Sequence, residues 1–162
     1  MSLSVSRIDH AVYWVSNLAR MRDFYMNVLG LTDVVTQAGV CLLRAQGSAQ
    51  HHDLGLFEIG AAALRAPHRS VGLYHIAWKV LAIEDLVEAM KALQSANAFT
   101  GASDHGATKS VYGKDPDGNE IEITFTIPRA DWGDWENSGT VAPLDMEREI
   151  ARYGRQANSG QA

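Results

Sequence analysis

The chain has 162 residues, of which 46% are hydrophobic, and its formal net charge is −5. This length and apolar content suit a globular domain that forms its core without disulfides. An acidic chain is not attracted to nucleic-acid phosphates or to an anionic membrane surface, so we expect neither as a partner. The only cysteine, Cys41, cannot form an internal disulfide, which indicates a reducing, cytoplasmic setting. No apolar run reaches the ~18 residues of a membrane span, and the start lacks the features of a secretory signal.

The first half of the chain predicts a strand, a helix and three more strands. An apolar strand pattern covers 7–15, and Asn17 has a side chain suited to a helix N-cap. Apolar residues at helical spacing continue to Leu29, and Gly30 follows as a residue typical of a helix end. The three further strands are predicted over 31–36, 40–45 and 52–59.

The second half repeats this order after a linker. Residues 60–70 lack periodicity, and His68 within them is expected to be exposed. A strand pattern follows over 72–80, and a helix with one apolar face is predicted over 83–96. The last strands are predicted over 98–103, 109–114 and 120–127, with a strong turn at 115–119.

The repeated order predicts two βαβββ modules, at about 7–60 and 71–127, in one α+β domain over 1–127. We expect the strands to form one curved mixed sheet around a metal-binding cleft, with the helices outside. Residues 128–162 form a C-terminal extension with a short final helix. This extension is expected to pack on the domain or on a partner subunit, with a lid over the cleft as the alternative. Its end, 158–162, is expected to be disordered.

Each module carries a histidine at the same place in its first strand. In the stretches 8–15 and 73–80, His10 and His75 each stand third, and a valine stands eighth. A repeat that duplicates a histidine together with core residues favours one shared role, and two such histidines are natural metal ligands. A single strand histidine is more often structural, and the duplication weakens that alternative.

A third metal ligand is expected from the last strand. Glu120, Glu122 and Thr124 share one strand face, and Glu122 lies in the middle, where an unpaired carboxylate is costly to bury. Coordination to a metal would offset that cost; an exposed strand face is the alternative. Two imidazoles and one carboxylate are the ligand set typical of non-haem Fe(II) oxygenases, and the same donors suit Mn(II).

These and two further motifs resemble the vicinal-oxygen-chelate superfamily across 7–127, and most of all its type I extradiol ring-cleaving dioxygenases. The segments at 10–12, 74–78 and 115–122 are shared widely and imply the fold and the metal cage. The segments at 51–56 and 104–112 are more specific, since these dioxygenases carry a histidine pair opening the fourth strand and an H-G-x-(few)-Y segment before the last. Many members carry an additional copy of the whole module, and the 104–112 segment is slightly shorter here than in many relatives.

The resemblance implies roles for individual residues. His52, second of the histidine pair, matches the acid/base histidine next to the O₂ position. His105 matches the histidine that hydrogen-bonds near the substrate hydroxyl, and Tyr112 matches the tyrosine that contacts the substrate oxygen. The residues that match the iron ligands are His10, His75 and Glu122.

The function implied by the resemblance is Fe(II)-dependent extradiol cleavage of a catechol by O₂, as in aromatic compound catabolism, with Mn(II) as the alternative metal. A homodimer or higher homo-oligomer is the implied assembly. Two alternatives stay open. One is a glyoxalase-like metal-dependent isomerase or transferase, for which Glu58 would supply a fourth ligand. The other is a non-catalytic ligand-binding protein of the same fold, a class that typically lacks the three ligands.

Overall fold

A computed structural model of the chain describes residues 3–65, 67 and 69–155, so His68 and the tail at 158–162 lie outside these ranges. The chain divides into two compact units, Met1–Ser70 and Val71–Ala162. Each unit contains one βαβββ module with its own sheet, which confirms the α+β class and the two-module organisation.

The first unit builds a four-stranded mixed sheet with one helix. Its elements are β1 (Ala11–Val15), α1 (Leu18–Leu29), β2 (Thr32–Gln37), β3 (Val40–Arg44) and β4 (Leu54–Glu58). The strand order is β1-β4-β3-β2, in which β1 and β4 are parallel and the other pairs are antiparallel.

The helix α1 begins and ends where the sequence predicts. The Asn17 side chain accepts a hydrogen bond from the backbone N–H of Arg20 at 2.9 Å, as an N-cap should. Gly30 ends the helix with a φ of +66°, a left-handed conformation that favours glycine. Between these ends, α1 contacts β3 and β4 and buries Met21 and Tyr25 completely.

The second unit repeats this arrangement. Its elements are β5 (His75–Val80), α2 (Glu84–Ser95), β6 (Phe99–Asp104), β7 (Thr108–Lys114) and β8 (Glu120–Thr126). The strand order is β5-β8-β7-β6, with β5 parallel to β8. The helix α2 contacts β6, β7 and β8 and contributes the buried Leu86 and Leu93 to the core.

The C-terminal extension belongs to the second unit. It contains two short 3-10 helices, Arg129–Asp131 and Gly133–Glu136, and then α3 (Met146–Tyr153). Past α3, the backbone N–H of Arg155 donates to the Glu84 carboxylate at 2.6 Å, which ties the end of the extension to α2. None of the helices that the structure describes is long and apolar enough to cross a bilayer.

Two details of the predicted sheet differ from the structure. The strands form two four-stranded sheets, one in each unit, where one continuous sheet was expected. The strands predicted over 7–15 and 52–59 start later, at Ala11 and Leu54. These two residues are partners, so pairing of the parallel strands begins there. His10 and His52 therefore precede their strands instead of lying within them.

Candidate active site

Glu122 lies at the centre of the second unit's sheet. It is on β8, opposite Ala77 of β5 and Tyr112 of β7. Its neighbours Ile121 and Ile123 face the hydrophobic core, and strand alternation turns Glu122 to the other face of the sheet. Glu122 is only 8% exposed, so its carboxylate needs a partner within the protein. Its Oε2 lies 2.9 Å from Nε2 of His75.

Tyr112 and His105 extend this contact into a chain of hydrogen-bonded groups. The Tyr112 hydroxyl lies 3.1 Å from Oε1 of Glu122 and 2.7 Å from Nε2 of His105. Burial, followed by the negative charge of Glu122, raises the pKa of Tyr112 to about 12. The phenol is therefore neutral at physiological pH and keeps a proton to donate.

A cavity of about 580 Å³ opens beside this chain of groups. Its lining includes His75, His105 and Tyr112 of the predicted site. Val141 of the C-terminal extension also lines it, so the extension contributes to the cavity. A volume of this size accommodates a small organic substrate.

The first unit brings His10 and His52 together. Their ring centroids are 4.4 Å apart, and the planes are tilted by 40°. Nδ1 of His10 lies 2.9 Å from a carboxylate oxygen of Asp9, and Nδ1 of His52 lies 3.1 Å from Nδ1 of His51. His51 is exposed, and it contacts His52, the predicted acid/base residue.

The electrostatics of this cluster favour a neutral His52. Burial, followed by the nearby charges of His10 and His51, lowers the pKa of His52 below its ordinary value. A neutral imidazole can accept a proton at one ring nitrogen and return it later, as an acid/base residue must.

The two modules differ at the position of the carboxylate. Val12 in β1 pairs with Gly55 in β4, just as Ala77 in β5 pairs with Glu122 in β8. Gly55 thus occupies the place that corresponds to Glu122. Glu58, the alternative fourth ligand, instead accepts a hydrogen bond from the backbone N–H of Leu18 at 3.0 Å, at the start of α1.

The donors of the second unit suit a divalent metal. Nε2 of His75 and Oε2 of Glu122 lie 2.9 Å apart, so an imidazole nitrogen and a carboxylate oxygen, donor types that divalent metals bind, are adjacent on neighbouring strands. The third predicted ligand, His10, belongs to the first unit, and within either unit the described residues contain no group of three His, Cys, Asp or Glu side chains that could hold a metal.

Several residues around His105 were not foreseen from the sequence. Nδ1 of His105 lies 2.9 Å from the carbonyl oxygen of Thr140. Trp135 covers Gly106, and Lys109 forms a buried ion pair with Asp104 at 2.5 Å. The sequence pattern does not distinguish a buried lysine in a strand from an exposed one. Every residue has a backbone carbonyl, so the sequence cannot single out that of Thr140 either. Only the structure reveals these contacts.

Comparison with known proteins identifies the family. Residues 7–123 match the family described as the Glyoxalase/Bleomycin resistance protein/Dioxygenase superfamily. The chain belongs to this superfamily. Its fold agrees: a glyoxylase/bleomycin resistance protein/dioxygenase domain from Frankia sp. EAN1pec superposes with a TM-score of 0.66 at 20% identity, over 78% of this chain and 96% of that one.

Curated relatives in the superfamily are dioxygenases. The chain is 32% identical over 128 residues to a catechol-2,3-dioxygenase of Bacillus subtilis (strain 168), covering 78% of this chain and 44% of that protein. It is 31% identical over 128 residues to a biphenyl-2,3-diol 1,2-dioxygenase 2 of Rhodococcus globerulus, covering 75% of this chain and 65% of that protein. The chain thus spans about half to two thirds of the length of these relatives.

Proposed function

We propose that this protein is an Fe(II)-dependent extradiol dioxygenase, which cleaves the ring of a catechol next to its two hydroxyls. The observation that carries the proposal is a series of four adjacent side chains beside one cavity. His75 lies 2.9 Å from Glu122, and Tyr112 is within hydrogen-bond distance of both Glu122 and His105. It combines two metal-type donors with a neutral phenol and an imidazole. The similarity to dioxygenases that act on aromatic diols supports the same chemistry.

The proposed metal ligands are His10, His75 and Glu122. Imidazole and carboxylate donors suit Fe(II) and also Mn(II), so we propose Fe(II) with Mn(II) as the alternative. The chemistry that the metal supplies when bound is a lower pKa for the diol hydroxyls and a path for electrons from the diol to O₂. Gly55 at the place that corresponds to Glu122 leaves the first module with no matching carboxylate, which favours this ligand set over one with a second carboxylate.

Tyr112 and His105 would orient the diol. The neutral Tyr112 hydroxyl can donate a hydrogen bond to a substrate oxygen in the cavity, because its high pKa keeps the proton in place. His105, whose Nε2 lies 2.7 Å from that hydroxyl, can hold the phenol in one direction. Holding reacting groups in one geometry lowers the entropic part of the barrier.

His52 is the proposed acid/base residue. Its lowered pKa keeps the ring neutral, so it can take up a proton and then return it as the O–O bond breaks. The overall reaction inserts both oxygen atoms of O₂ and breaks one ring carbon–carbon bond. The product is a hydroxy-semialdehyde or a related keto acid, and no other reductant is consumed.

We further propose a cytoplasmic enzyme of aromatic catabolism that assembles as a homodimer or higher homo-oligomer. The buried, unpaired Cys41 suits a reducing compartment. The net charge of −5 disfavours nucleic acid and anionic membranes as partners, which leaves the aromatic diol and O₂. Light scattering of the purified chain tests the assembly.

The experiment is a substrate panel with a metal panel. The protein is loaded anaerobically with Fe(II) or Mn(II) and mixed with catechols in air, while O₂ uptake, the yellow product and bound metal are measured on one sample. We expect stoichiometric O₂ uptake that is lost in Glu122→Gln and kept in Glu88→Gln, an exposed glutamate on α2. Metal-loaded protein that consumes no O₂ with any catechol would contradict the proposal and favour an isomerase or a binding protein.

A further inference from the structure

The C-terminal extension holds the backbone on both sides of His105. The backbone N–H of Asp104 donates to the carbonyl of Ala142 at 2.8 Å, and the N–H of Ala142 donates back at 3.0 Å. On the other side, Gly106 has a φ of +83°, and the Trp135 ring lies so near that a Cβ on Gly106 would come within 2.4 Å of it. The segment that carries His105 is thus enclosed by residues of the extension.

An ionic cluster, which we call the Lys109 cluster, secures the extension to the sheet; its lysine and its two carboxylates are buried, and its arginine is exposed. It consists of Asp104, Lys109, Arg148 and Glu149. Nζ of Lys109 lies 2.5 Å from Asp104 and 3.6 Å from Glu149, whose residue is fully buried. Arg148 contacts the same two carboxylates, at 3.1 and 2.8 Å. Because Arg148 and Glu149 lie on α3, these contacts join α3 to the strands beside His105.

The carbonyl of Thr140 then determines which nitrogen of His105 carries the proton. A carbonyl oxygen only accepts hydrogen bonds, so Nδ1 at 2.9 Å from it must be the N–H. In a neutral imidazole the other nitrogen, Nε2, is then an acceptor. The hydroxyl of Tyr112 lies 2.7 Å from Nε2 and 3.1 Å from Oε1 of Glu122, so its single proton can be donated to either of these two acceptors. The tautomer of His105 and the direction of the Tyr112 proton are therefore coupled.

We propose that the C-terminal extension is a fixed positioning element, which holds His105 in the Nδ1–H tautomer with Nε2 directed at Tyr112. Its contribution comes through the backbone carbonyl of Thr140, with Trp135 and the Lys109 cluster keeping that carbonyl in place. A lid would have to leave the sheet to admit substrate. The buried Lys109–Glu149 pair and the Arg148–Asp104 pair, which join α3 to the sheet, oppose such a movement. The catalytic consequence rests on the proposed function; the tautomer itself does not.

The test compares two substitutions of Trp135 with a matched tryptophan control. Trp135→Ala uncovers Gly106, whereas Trp135→Phe keeps an aromatic ring there. Trp132→Ala is the control, since Trp132 lies in the same extension but donates to the carbonyl of Ile127 at 3.0 Å and packs on Arg129. The readout is the long-range ¹H–¹⁵N spectrum of the histidine rings in the full chain, assigned to His105 by the signals missing in His105→Gln.

We expect the wild type, Trp135→Phe and Trp132→Ala to show the Nδ1–H tautomer at His105, and Trp135→Ala to show a mixture. In metal-loaded enzyme with catechol, Trp135→Ala should lower kcat roughly ten- to a hundredfold with KM little changed, as expected for a misplaced catalytic group. The proposal is overturned if wild-type His105 is the Nε2–H tautomer, or if Trp135→Ala leaves the tautomer unchanged. If the tautomer shifts as expected but no protein cleaves catechol, the proposed function fails and the positioning role stands.

Discussion

The Lys109 cluster allows a sharp test of the energetics of the second unit. Substitution Lys109→Met keeps the length of the side chain and removes its ammonium group. Asp104 and Glu149 would then face each other in a buried region with only Arg148 to balance two negative charges. The residue Lys109 is only 5% exposed, so water cannot replace the lost contacts. Removing one partner of a buried ion pair typically costs about 3–5 kcal/mol, because the other charge is left uncompensated.

The measurement is urea unfolding of the full chain, followed by circular dichroism, with Lys91→Met as the matched control. Lys91 pairs with Glu88 at 2.8 Å on α2, where the two side chains are 62% and 72% exposed. Such exposed pairs contribute only about 0.2–1 kcal/mol to the free energy of unfolding. We expect Lys109→Met to lower that free energy by about 3 kcal/mol more than the control does.

The pH dependence of the free energy of unfolding tests the same cluster independently. Burial alone would raise the pKa of Asp104, but hydrogen bonds from Lys109 and Gly106 outweigh it and lower the pKa below the ordinary value. The ionised carboxylate therefore stabilises the fold above about pH 4, and this stabilisation is lost as the pH falls further. Lys109→Met should flatten that acid limb. If Lys109→Met lowers the free energy of unfolding no more than Lys91→Met does, both above and below about pH 4, the Lys109 cluster does not stabilise the fold as described.

Three further predictions concern the site and the fold. Tyr112→Phe removes the hydroxyl between His105 and Glu122, so kcat on catechol should fall roughly a hundredfold, while the free energy of unfolding falls by only about 1 kcal/mol; an unaltered kcat would refute its role. Chelation of the metal should abolish O₂ uptake and added Fe(II) should restore it, whereas activity in verified metal-free protein would exclude the proposed chemistry. Gly30→Ala should lower the free energy of unfolding by about 1 kcal/mol because of the left-handed φ, and Gly47→Ala, which meets no atom within 4 Å, should leave it nearly unchanged; equal effects would contradict this explanation.

Much of the fold follows from local patterns in the sequence. Asn17, the spaced apolar residues and Gly30 specify α1, since capping and amphipathicity involve neighbours in the chain. Alternation along β8 identified the face of Glu122 before any partner was known, because strand geometry alone sets it. The starts of β1 and β4 were predicted too early, since strand length depends on where the paired strands meet.

The residue types and their repeat were sufficient to propose two modules, six site residues and a family, because donor chemistry and hydrophobic periodicity depend only on the sequence. The contacts among those residues are a different matter. Thr140 lies 35 positions from His105, and Glu58 reaches back 40 positions to the start of α1. Contacts between residues so far apart in the chain depend on how it packs. The Thr140 contact also uses a backbone carbonyl, which every residue type has. Only the folded chain therefore assigns Glu58 to a helix end and the C-terminal extension to His105.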